Sequence, residues 1–125
     1  MAVIIKEIRL RGAKGETARE AIFDSGATYS CIHPELAKTL ATIEPLPEPM
    51  EFSTAEEGRE MTARGAVRLN FYIEDYRFSD EFMVIEGLSN RVLIGAATLQ
   101  KWRLRLDFEN DEVIIDPRVT KLWLL

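Results

Sequence analysis

The sequence predicts an all-β domain, mainly antiparallel, with one or two short helices. Three observations carry this reading. Apolar residues alternate with polar ones at period two, as in Val67, Leu69 and Phe71 against Arg68, Asn70 and Tyr72, a spacing that puts apolar side chains on one face of a strand. Breaks rich in Gly, Glu and Asp recur between these runs, at 12–15, 55–58, 74–75 and 109–112, as hairpins require. Helix signals are confined to two short stretches.

The elements follow in order. Val3 to Leu10 is rich in Ile and Val and reads as a strand; Arg11 to Glu16 turns, and Thr17 to Phe23 returns as its partner. Tyr29 to Ile32 is short and apolar. His33 to Leu40 reads as a two-turn helix, with Pro34 at its first position, Glu35 at the positive end and Lys38 at the negative end. Pro45, Pro47 and Pro49 make Glu44 to Met50 an extended, non-helical connector within the domain. Met50 to Ile85 forms long hairpins with breaks near Ala55–Gly58 and at Glu74–Asp75. Arg91 to Ile94 is a buried-type strand ending in Gly95, and Ala96 to Trp102 a short helix. Arg103 to Phe108 and Val113 to Ile115 make a last hairpin, followed by an apolar tail from Val119 to Leu125.

A chain of 125 residues lies close to the ~150-residue scale of one domain, so residues 1–125 are taken as one unit. Hydrophobic residues at 46% and charged residues at 30% exclude a disordered or collagen-like chain. The net charge of -5, with no stripe of Lys or Arg, argues against nucleic acid as a partner. No apolar run approaches the ~18 residues of a spanning helix, so no membrane partner is expected. The N-terminus meets Lys6 and Glu7 after a short apolar run, unlike a secretory signal. With Cys31 the single cysteine, the expected setting is reducing and cytoplasmic.

Five groups of residues invite chemistry. Gly12-x-x-Gly15 lacks the Gly-Lys-Ser/Thr ending of a phosphate loop and reads as a hairpin turn. Cys31 and His33, two positions apart, could pair as a thiol dyad, but no basic neighbour is evident to activate the sulfur. Glu56, Glu57 and Glu60 read as a solvated turn cluster rather than a cation loop. Trp102, Trp123 and Phe108 read as core or interface aromatics. The fifth is Ala21-Ile22-Phe23-Asp24-Ser25-Gly26-Ala27-Thr28, where a carboxylate directly follows an apolar run and precedes a hydroxyl and a glycine. Burial disfavours the ionised carboxylate, and Gly26 lets the backbone turn close to a ligand. The same residues also suit a plain strand-ending turn.

Phe23-Asp24-Ser25-Gly26-Ala27-Thr28, the later Val92-Leu93-Ile94-Gly95-Ala96-Ala97-Thr98-Leu99 and the Gly-containing hairpin between them together resemble the retropepsin-like aspartic proteases. The likeness runs from the first hairpin to Ile115. It implies a closed, acid-protease-type barrel in a single lobe. It makes Asp24 the catalytic aspartate and sets Leu93, Ile94 and Gly95 beside it. Ser25, Gly26, Ala27 and Thr28 become the active-site and substrate-binding loop, and the hairpin from Phe52 to Thr62 a flap with its tip at Ala55, Glu56, Glu57 and Gly58. Viral members carry an acidic residue two places after the first motif's Gly and an Arg directly after the second motif's Gly. This chain has Thr28 and Ala96 there, which resembles the cellular and bacterial branch.

One carboxyl cannot act as base and acid in the same step. The resemblance therefore implies a homodimer with one Asp24 from each subunit at a twofold axis, acting on a peptide or protein substrate through an activated water and without metal or organic cofactor. The tail Val119 to Leu125 is the expected dimer strand. The alternative is a catalytically silent dimerisation or peptide-binding domain of the same fold.

Overall fold

The chain opens with the hairpin β1 (Ile4–Arg11) and β2 (Glu16–Phe23), paired in register from Ile4↔Phe23 to Arg11↔Glu16; the computed structural model describes residues 3–54, 59–88 and 92–124. Ile4, Ile8 and Leu10 alternate inward, as the period-two pattern predicts. The turn is closed by the Gly12 N–H on the Gly15 carbonyl at 2.9 Å and docks through the Lys14 N–H on the Leu40 carbonyl at 2.8 Å. Gly12 is required by this approach, because any Cβ there would collide with the Leu40 carbonyl.

After β3 (Cys31–Ile32) the helix α1 (Pro34–Leu40) starts as expected. Pro34 opens it, and His33 caps it by accepting the Glu35 N–H on Nδ1 at 3.0 Å. Ala37 and Leu40 are its buried face. The segment read as a connector is in fact a strand, β4 (Glu44–Ser53), on β5 (Glu60–Ile73). Its three prolines remove three backbone donors, and the ladder is broken between Pro45 and Met50. Pairing to a neighbour outweighs local propensity, and the prolines are tolerated because β4 is an edge strand.

Glu74, at φ 57°, helps turn β5 into β6 (Tyr76–Ile85). The chain continues through β7 (Val92–Ile94), α2 (Ala96–Lys101), β8 (Arg105–Asp107) and β9 (Glu112–Ile114). Strand order β1-β2-β7-β3-β6-β5 closes on itself because β1 also pairs with β5 through Leu10↔Phe71 and its neighbours. The result is a closed six-stranded barrel with two helices, mainly antiparallel, with parallel pairs only at β2–β7 and β3–β6.

Its core is aromatic. Phe71 stacks on Phe78 at 5.3 Å and meets Phe82 edge-on at 6.1 Å, while Trp102 packs edge-on to Phe78 at 5.4 Å and donates Nε1–H to the Ser79 carbonyl. Trp102 is therefore core, and it anchors the end of α2 to β6. Arg103, at φ 53°, terminates that helix by letting the Leu104 N–H return to the Leu99 carbonyl at 2.9 Å. Phe108 and Trp123 lie largely outside the core.

Strands β8 and β9 form a separate two-stranded sheet. The tail departs from the expected strand: Pro117–Thr120 is a 3-10 turn capped by Asp116, and beyond it Leu122, Trp123 and Leu124 are exposed. Leu125 lies outside the described residues, as do Arg91 and the expected flap tip Ala55, Glu56, Glu57 and Gly58. Among the described residues no helix is long and apolar enough to cross a membrane.

Candidate active site

Asp24 follows the last residue of β2 and inherits that strand's position in the barrel wall. Parallel pairing of Ile22 with Leu93 and Phe23 with Ile94 brings the two sequence motifs side by side. The Asp24 N–H continues the ladder to the Ile94 carbonyl at 3.0 Å. Its side chain then turns the chain: Oδ1 accepts the Gly26 N–H at 2.8 Å, and the Asp24 carbonyl accepts the Ala27 N–H at 3.2 Å. Asp24 is half-buried, whereas Ser25 and Gly26 are exposed. The carboxylate thus stands at the end of β2 in a hydrogen-bonded turn.

The loop after Asp24 and the start of α2 complete each other. A helix leaves its first N–H groups without partners in the helix. Here the Ala96 N–H goes to the Ala27 carbonyl at 2.6 Å and the Ala97 N–H to the Thr28 carbonyl at 3.0 Å. The positions at which viral relatives of the motif carry a charged pair are thus joined by main-chain bonds around Thr28 and Ala96. Gly95 makes the crossing possible, since a Cβ there would lie 2.6 Å from the Tyr29 carbonyl carbon and oxygen and 2.9 Å from the Ala27 oxygen.

Sequence reasoning assigned no role to Ser30 and Thr98, the buried polar side chains among the described residues. Ser30 Oγ accepts the Gly95 N–H at 3.1 Å and lies 2.6 Å from Thr98 Oγ1, while the Ser30 carbonyl accepts the Met83 N–H at 2.9 Å. This hydroxyl pair pins the two motifs and β6 together in a dry place where each partner satisfies the other. The one available signal was a Ser and a Thr inside otherwise apolar segments.

The thiol dyad does not assemble. Burial pushes the Cys31 thiol up to about 11, and its Sγ lies 3.4 Å from the Tyr29 carbonyl. His33 is committed to capping α1. A thiol held protonated is a poor nucleophile. Cys31 is expected to resist alkylation in the folded protein at neutral pH and to react fully once denatured, which a mass-resolved labelling time course checks. Among the described residues no group of His, Cys, Asp or Glu could hold a metal ion.

Two surfaces border the Asp24 loop. On one side, the β4–β5 hairpin continues from Phe52↔Met61 to Ser53↔Glu60 and is closed by the Thr54 N–H on the Arg59 carbonyl at 3.2 Å. Its root reaches the loop where the Phe52 and Tyr29 rings meet edge-on at 5.9 Å. On the other, Ser25 borders a groove of ≈ 950 Å³ between α2 and the β8–β9 sheet, lined by Leu99, Leu104, Leu106, Phe108 and Ile115.

A barrel crossed by this pair of motifs defines the class: a retropepsin-like aspartic protease fold. Residues 7–98 match the family model described as aspartyl protease, and the chain belongs to that family. The crystal structure of the retroviral protease-like domain of Ddi1 from Leishmania major superposes with a TM-score of 0.67 at 18% identity, over 93% of this chain and 90% of that one. The solution structure of the simian foamy virus (mac) protease gives 0.49 at 19% identity, over 79% of this chain and 92% of that one. No curated protein sequence matches.

Proposed function

We propose that this chain is an aspartic endopeptidase acting as a homodimer, in which Asp24 of each subunit meets its counterpart at a twofold axis. Family membership supports aspartic protease chemistry, and the observation that carries the reading further is the half-buried Asp24 turn, held to Ile94 by the ladder, braced through Gly95 and Ser30, and followed by the exposed Ser25 and Gly26. Two carboxyls a few ångströms apart hold one proton between them. The ionised member takes a proton from water while the protonated one gives a proton to the carbonyl oxygen of the peptide, and water adds to the carbonyl carbon. Breakdown of that adduct transfers the proton taken from water to the nitrogen, breaks the C–N bond to expel the amine, and returns the diol's proton to the other carboxyl.

The neighbouring residues have roles in this scheme. Ser25 bonds across the axis to the partner's backbone, the Gly26 carbonyl holds the substrate main chain, and Ala27 and Thr28 line the cleft. Leu93, Ile94 and Gly95 form the floor. The β4–β5 hairpin is the flap of this scheme, and an extended peptide would pair with its main chain as strands do.

The dimer itself is supported by surface the single chain leaves uncovered. Leu122, Trp123 and Leu124 are 69%, 72% and 101% exposed, a costly apolar display for a monomer. The test is sedimentation and turnover of one unfolded peptide by the native chain and by the double variant Trp123→Glu, Leu124→Glu. Both positions are exposed, so the barrel should be unaffected. The native chain is expected to be a dimer that cleaves, and the variant a monomer that does not. An active monomer at high concentration would sink the proposal, and a native dimer without turnover would favour the silent dimerisation or peptide-binding module.

A further inference from the structure

We propose that Tyr29 is a positioning residue, a latch that holds the β4–β5 hairpin against the Asp24 loop and thereby sets how firmly bound substrate is held; its catalytic consequence rests on the peptidase reading above. The ring projects from a fixed base. Thr28 and Ser30 on either side of Tyr29 are both hydrogen-bonded to neighbouring elements, and Gly95 abuts the Tyr29 carbonyl. The ring itself is 37% exposed and touches Phe52 edge-on at 5.9 Å with an interplanar angle of 89°.

Phe52 is placed where such a contact matters. β4 has β5 as its single sheet neighbour, and the rungs from Met50 to Ser53 are cut off from the rest of the ladder by the break after Pro45. Ala63 is tied to β6 through Ile85, but among the described residues the rungs beyond it, Glu51↔Thr62 to Ser53↔Glu60, pair β4 with β5 alone, so that end of the hairpin can swing without disturbing the barrel's pairing. Phe52 also belongs to a small apolar cluster in which it packs with Met50, Met61 and Leu93 around Cys31, Ala63 and Met83. Methionine side chains repack as a surface moves, so this cluster tolerates a displaced hairpin. An edge-to-face ring pair has a specific geometry and is lost when the hairpin lifts. The latch therefore selects the closed arrangement, while the cluster supplies non-specific cohesion.

The experiment compares amide hydrogen exchange of the rungs at 50–54 and 59–63, and steady-state kinetics on one unfolded peptide, for the native chain, Tyr29→Ala, Tyr29→Phe, Phe52→Leu and the Tyr29→Ala, Phe52→Leu double variant. Tyr29→Ala and Phe52→Leu are each expected to speed exchange at these rungs by about 2- to 12-fold, the range that ring pairs of this kind represent. The double variant should exchange no faster than the worse single one, and Tyr29→Phe should match the native chain. KM should rise several-fold with kcat within about twofold of native. Native-like exchange in Tyr29→Ala, simple additivity in the double variant, or Tyr29→Phe behaving as Tyr29→Ala would each overturn the latch. An absence of turnover in every form would fall on the peptidase reading, and the exchange data would still decide the latch.

Discussion

Asp24→Asn is expected to leave a folded dimer that no longer cleaves peptides. Asn matches the shape of Asp, and its Oδ1 can still accept the Gly26 N–H that shapes the turn, so the local structure has no reason to change. What it loses is the exchangeable proton. Turnover should fall by several orders of magnitude, on the scale of the ~10²–10⁴-fold that positioned acid–base groups supply. The dimer should be as stable or more so, since like-charge repulsion at the axis is removed. Cys31→Ala serves as the contrast: a protonated, buried thiol has no part in the scheme, and turnover should persist. Turnover that survives Asp24→Asn, measured beside Cys31→Ala on one unfolded peptide, would overturn the assignment.

Gly95→Ala is expected to damage the fold and the candidate site together. One methyl group would sit 2.6 Å from both carbonyl atoms of Tyr29 and 2.9 Å from the Ala27 oxygen. These obstacles are main chain and cannot rotate away. The Ala27 carbonyl accepts the Ala96 N–H, and the segment is held again at Ser30, so relief requires breaking bonds that join the two motifs. Overpacking of this kind costs about 3 kcal/mol, which for a chain of this length corresponds to a fall in Tm of roughly 10 °C. Because the displaced atoms belong to the Asp24 loop, turnover should fall along with stability. Calorimetry finding a native Tm for Gly95→Ala would mean that the two loops are not packed as described.

Much of the local structure was legible along the chain. Alternation at Val67, Leu69 and Phe71 depends only on the period of a strand and on which residues water rejects. α1 could be read from Pro34, Glu35 and Lys38, because helix ends are decided by a few neighbouring residues. Asp24 drew attention as a carboxylate between an apolar run and a Ser-Gly pair, and it became the candidate through the resemblance that this motif and Val92–Leu99 carry together. The strand and helix signals act over a few residues, and periodicity is enough to expose them.

Other features exist only once distant segments meet. Closure of the barrel rests on Arg9–Arg11 pairing with Asn70–Tyr72, and the site rests on β7 lying beside β2 rather than beside its sequence neighbours. Backbone hydrogen bonding is chemically alike at every residue, so composition cannot say which strand adjoins which. The same blindness hid the Ser30–Thr98 pair, whose two hydroxyls are far apart in the chain and 2.6 Å apart in space. It also made Glu44–Met50 look like a connector, because prolines oppose a strand locally while β5 supplies the ladder that holds one. Local side-chain chemistry thus determined the elements and the candidate aspartate; the turn that holds it and the loops that brace it were decided by contacts between segments that the chain order keeps apart.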